Sequence, residues 1–231
     1  MNPLKALITL CAAQFMVILD ISVVNVALPT IQQDLNIAIG DLQWVITAYT
    51  LAFGGLLLLG GKAADLFGRR RMFLVGLGVF TIASAAASLA SSPTLLLAGR
   101  VFQGIGAAML SPAALSLVTG LYPEGPERHK ALAAWAAVAA AGGAVGVLVG
   151  GILSETLNWP AIFLINVPVG IAVAVSVARH IPADAESRGR GRLDLTGALL
   201  AAGSLVALIY GLVEAPEAGW LSTQTIALFG A

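Results

Sequence analysis

The chain has 231 residues, 58% of them hydrophobic and only 10% charged, and its twelve basic and twelve acidic residues cancel to a formal net charge of zero. About a quarter of the residues in a soluble domain are charged, so this composition is that of an all-α integral membrane protein, and the zero balance leaves no global field to recruit nucleic acid. The lone Cys11 excludes an internal disulfide and sits in an apolar stretch, where it reads as packing.

The first apolar stretch runs from Ala6 to Leu28 and stops at Pro29. At ~1.5 Å per residue it spans a ~30 Å hydrocarbon core, too long for the ~7–15 apolar residues of a cleavable signal. A loop with Asp34 and Asp41 leads to a second helix, about Leu42 to Gly61. "GKAADLFGRRR", from Gly61 to Arg71, then reads as a loop, with Gly68 suited to a left-handed turn. Its Lys62, Arg69, Arg70 and Arg71 hold it on the cytoplasmic side, and a plain topogenic signal would account for the charge run alone.

The third helix is expected over Met72–Ala90 and, after the turn "SSPT", the fourth over Leu95–Leu121. "YPEGPERHK", with Arg128 and Lys130, precedes a fifth helix over Ala131–Leu153, and Ser154–Pro160 connects it to a sixth over Ala161–Ala178. "RHIPADAESRGRGR" follows with Arg179, Arg188, Arg190 and Arg192, then a seventh helix over Leu193–Val213. The twelve residues from Trp220 to Ala231 would reach only roughly 18 Å as a helix. They begin an eighth helix that cannot span alone, as expected of a chain truncated relative to a longer protein. Trp44, Trp159 and Trp220 fall near outer boundaries, as an aromatic belt would place them.

Eleven of the twelve Lys and Arg residues lie on one side of this topology, none on the other, and Arg100 lies within the fourth helix. The positive-inside rule therefore puts the N-terminus in the cytoplasm of a multi-pass plasma (inner) membrane protein. Asp20 and Arg100 are the ionisable residues deep within predicted helices, at similar depths from the outer side. Each costs at least ~2.5–3.5 kcal/mol at mid-membrane and is expected to face a bundle interior or a wet cavity. If helices one to three and four to six form two inverted units, Asp20 and Arg100 occupy the first helix of each. A fixed ion pair is one reading. The other makes Asp20 a proton or cation site, because a carboxylate changes protonation where arginine does not, and Arg100 its electrostatic partner.

In the fifth helix, Gly142, Gly146 and Gly150 share one face of "GGAVGVLVGG", with Gly151 beside them, and make a surface for close helix packing, static or sliding. Gln14, Asn25, Gln43 and Gln103 add polar groups that serve either interhelical hydrogen bonds or a ligand. His129 and His180 have no partner in metal spacing, so no metal is expected. The residues around Lys62 and Gly104 lack the full glycine patterns of a phosphate loop or dinucleotide fingerprint, so neither an enzyme nor a cofactor is expected.

Four stretches carry a resemblance. "ILDISVVNVALP" from Ile18, "GKAADLFGRRR" from Gly61, "RVFQGIGAA" from Arg100 and "LDLTGALL" from Leu193 are similar, in order, to signatures of the major facilitator superfamily, in particular its fourteen-helix drug–proton antiporter branch. Ser22 stands where that branch usually has threonine, Val147 where it has the helix-five proline, and Pro160 and Ala161 follow Trp159 where Arg and Trp are usual. The resemblance implies an N-terminal six-helix bundle over 1–180, a cytoplasmic basic loop over 181–192, and linker helix seven with a partial helix eight over 193–231.

It also implies proton-coupled export of small amphipathic or cationic compounds, of the multidrug-efflux type. Asp20, Arg100, Gln103 and Asn25 are then the coupling or substrate residues, and Gly61, Asp65, Gly68, Arg69 and Arg70 a conformational gate. The implied partners are a small-molecule substrate, protons and the lipid bilayer, with a C-terminal half or a second copy to complete the cavity. The alternative is a half-transporter that is inactive alone or acts only when paired with another membrane chain.

Overall fold

The computed structural model describes residues 2–184 and 195–230, so most of the basic loop expected at 181–192, with Arg188, Arg190 and Arg192, and the first two residues of "LDLTGALL" lie outside the described residues. The described residues form ten helices: α1 (Pro3–Leu35), α2 (Ile39–Leu42), α3 (Trp44–Phe67), α4 (Arg69–Ser88), α5 (Pro93–Leu121), α6 (Pro126–Leu157), α7 (Pro160–Leu164), α8 (Asn166–His180), α9 (Leu195–Ala218) and α10 (Thr223–Phe229). Seven spans among them are long and apolar enough to cross a membrane, with α2–α3 and α7–α8 each counting as one. The protein is an all-α, multi-pass membrane protein.

Helix boundaries depart from the sequence reading at four places, each with a local cause. α1 runs through Pro29, which removes only the backbone bond to the Asn25 carbonyl, and ends at Asn36. The left-handed φ of 51° at Asn36 lets its N–H close on the Gln32 carbonyl. "GKAADLFGRRR" is helical on both sides of Gly68, which alone links α3 to α4 at φ 100°. Ala63, Ala64 and Leu66 favour helix, and nothing before Gly68 stops it.

α6 starts at Pro126 rather than at residue 131, because proline suits the first helical position, and it continues unbroken through Val147 to Leu157. The sixth span is interrupted at Ile165. Pro168 has no N–H for the Leu164 carbonyl four residues back, so α7 ends there and α8 starts afresh. Trp159 is not a belt residue. It is 3% exposed, its indole Nε1 donates to Asp34 Oδ2 at 2.7 Å, and its ring meets Phe163 edge-on.

Small residues set the helix order. α5 lies between α3 and α4 because backbone meets backbone there. A Cβ on Gly104 would stand 2.5 Å from the Tyr49 carbonyl oxygen of α3, and one on Gly106 would stand 2.5 Å from the Phe80 nitrogen of α4. Gly60 and Gly76 make the reciprocal approaches from α3 and α4. On the other side α6 crosses α1 in the same way, with Gly142 against Ile18, Gly146 against Ser22 and Leu19, and Gly150 against Val23. α8 packs on α1 and α4, and α9 covers α3, where Tyr210 meets Trp44 with ring centroids 5.6 Å apart. The second helix of each three-span unit thus packs on the first helix of the other unit, as inverted repeats that exchange a helix would arrange them.

Candidate functional site

Asp20 of α1 and Arg100 of α5 meet inside the bundle, both with side chains completely excluded from solvent. Arg100 Nη1 donates to Asp20 Oδ2 at 2.5 Å. The second carboxylate oxygen accepts from Gln103 Nε2 at 2.9 Å and from Asn166 Nδ2 of α8 at 2.7 Å. Gln103 lies one helical turn after Arg100, so its Oε1 also accepts from Arg100 Nη1 at 2.9 Å, while its Nε2 reaches Ser84 Oγ of α4 at 2.8 Å. Arg100 Nε donates to the Val45 carbonyl of α3 at 2.9 Å, and the Tyr49 ring lies under the guanidinium at 4.4 Å.

The carboxylate of α1 is held directly from α5 and α8, and through Arg100 and Gln103 the network extends to α3 and α4. Every polar neighbour of Asp20 is a donor, which is what an ionised carboxylate out of water requires. The Arg100 Nη2 and Tyr49 hydroxyl are buried with no hydrogen-bond partner among the described residues.

Sequence reasoning names Asp20, Arg100 and Gln103, and the fold brings all three together. It misses Asn166, Ser84 and Tyr49. A polar residue immediately after the apolar "PAIFLI" is the only sequence signal for Asn166, and nothing in the spacing ties it to Asp20. Asn25 is not in the cluster. It lies on an exposed part of α1, where its Nδ2 donates back to the Ile21 carbonyl at 2.8 Å.

At the other end of the bundle, Asp65 and Arg69 face each other across Gly68 at 3.7 Å, both half-exposed. Arg69 Nη1 also donates to the Ser116 carbonyl of α5 at 3.3 Å. Asp184, just beyond α8, accepts the backbone N–H groups of Arg70 and Arg71, each at 3.0 Å, and so caps the start of α4. A side chain on Gly68 would collide with that carboxylate, so the glycine is required for space as well as for its φ. Gly61 makes only ordinary contact with Pro112. Gly142, Gly146 and Gly150 form the α1 contact, whereas Gly151 has open space where its Cβ would be.

Three comparisons bear on this arrangement. The chain is 48% identical over 216 residues to the cephamycin export protein CmcT of Amycolatopsis lactamdurans, covering 93% of this chain and 44% of that protein. It is 49% identical over 214 residues to the puromycin resistance protein pur8 of Streptomyces alboniger, covering 93% and 42%. It spans less than half the length of these relatives. The fold is shared with a crystal structure of a peptide transporter, POT, in complex with sulfate, at TM-score 0.71 and 17% identity over 96% of this chain and 48% of that one. Residues 10–230 match the Major Facilitator Superfamily, and the chain belongs to that family of membrane transporters.

Proposed function

We propose that this chain forms one wall of a proton-coupled exporter, an antiporter of small amphipathic or cationic compounds in the plasma (inner) membrane, with a cytoplasmic N-terminus. The Asp20–Arg100 cluster carries this reading. A buried ion pair is poor value as a stabilising device, since apolar side chains of similar volume often serve as well, so its presence points to a role in coupling. Protonating Asp20 would turn an acceptor oxygen toward neighbours that are all donors, and the existing contacts could not all survive. Because those contacts reach α5 and α8 directly, and α3 and α4 through Arg100 and Gln103, a proton or a competing cation at Asp20 would be felt across the bundle. Asp65, Gly68, Arg69 and Arg70 would gate the cytoplasmic end. Relatives named for cephamycin export and puromycin resistance support a drug-like cargo.

A second reading is that the chain acts only when joined to another half, as residues 1–180 of a transporter bundle followed by a linker helix at 193–231. The exposed Asn25 on α1 and the less-than-half coverage of the relatives favour it. Efflux of a lipophilic cation driven by a pH gradient, in vesicles holding this chain or its Asp20→Asn variant, tests both. Efflux by the parent that vanishes in the variant supports coupling at Asp20. Inserted, folded chain that moves nothing would sink the stand-alone exporter, and restoration of efflux by a co-expressed C-terminal half would establish the second reading.

A further inference from the structure

The glycine contacts between α6 and α1 do not extend over the whole crossing. Below Gly142, which sits against Phe15 and Ile18, the next residues of α6 on that face are Val138 and Ala134. α8 also packs on α1, and the α7–α8 span meets α6 through α7, at the opposite end. A groove of about 500 Å³ lies here, lined along α1 from Leu4 to Phe15, by Ala134 and Val138 of α6, and by Val169 of α8.

Among the described residues, no polar side chain lines this groove. From Leu4 to Phe15 it runs about 16 Å at 1.5 Å per residue, which is about half of a ~30 Å hydrocarbon core and so the depth of one leaflet. Two lysines stand near its shallow end. Lys5 follows Leu4 and lies one turn below Ile8, and Lys130 lies one turn before Ala134 on the same face of α6. Both lysines are exposed, and Glu127, the acidic neighbour on that face, is a further turn away from the groove.

We infer that this groove is a binding site for one anionic phospholipid of the surrounding leaflet, an acyl chain lying along Leu4–Phe15 and the phosphate held between Lys5 and Lys130. The apolar lining accepts the chain of any lipid, and the two ammonium groups select the headgroup. Two lysines near an anionic surface are expected to give a preference on the order of tenfold to thirtyfold.

Native mass spectrometry of the purified chain, titrated with phosphatidylglycerol or phosphatidylcholine, reads this directly. One phosphatidylglycerol should be retained with at least tenfold preference. The Lys5→Gln, Lys130→Gln double variant changes only exposed side chains, and should bring the two lipids close to parity while its thermal unfolding stays unchanged. Ala134→Trp should fill the groove and abolish retention of both. Equal retention of the two lipids by the parent, or an undiminished preference in the double variant, would overturn the site. A dimer lost on Ala134→Trp would also overturn it, since a second copy would then be the occupant.

Discussion

Arg100 makes three kinds of contact at once, and a lysine there would keep the charge but not the geometry. Its Nε serves the Val45 carbonyl, its Nη1 serves Asp20 and Gln103, and its plane lies on Tyr49. A single ammonium cannot reproduce that fork, so Arg100→Lys should cost about 1.5–3 kcal/mol, and Arg100→Ala, which strands the Asp20 charge, about 3–5 kcal/mol. Chemical unfolding in detergent micelles measures both, and a change under about 0.5 kcal/mol in Arg100→Lys would mean the fork is not essential. By contrast, the Asp65–Arg69 pair is half-exposed and is worth no more than about 1 kcal/mol to folding.

At the scale of elements, glycines decide which helices touch. Gly146→Leu would drive a side chain into Ser22 and the Leu19 carbonyl, 2.6 and 3.0 Å from the Cβ position, and should destabilise the α1–α6 crossing by about 1–3 kcal/mol. Gly151→Ala meets open space and should be neutral or stabilising by up to about 1 kcal/mol through helix propensity. Melting temperatures of the two variants should therefore move apart, and equal shifts would show that the crossing is looser than the structure has it. The prolines act more locally. Pro168 divides α7 from α8, whereas α1 runs on through Pro29.

For the whole molecule, the charge distribution carries the proposed orientation. With Lys5, Lys62, Arg69–Arg71, Arg128, Lys130 and Arg179 all at one end, a cysteine at Lys62 in a Cys11→Ser background should react with an impermeant maleimide in inverted vesicles and be protected in right-side-out ones. The reverse pattern would invert the topology and move the proposed gate to the outer side.

What the sequence determined by itself is the solvent and the count: hydropathy, span length and the one-sided lysines and arginines establish a multi-pass all-helical bundle without any knowledge of neighbours. It also marked Asp20 and Arg100, since an ionisable residue in an apolar span is conspicuous in one dimension. The tertiary structure decided their company. Asn166 joins Asp20 from 146 positions away, Trp159 leaves the expected belt for Asp34, and Asn25 stays outside the cluster that its neighbour five residues earlier anchors. Helical spacing gives the face of one helix, but which helix meets that face depends on close backbone approaches at Gly60, Gly104, Gly106 and Gly146, and these become visible only when the partners are in place.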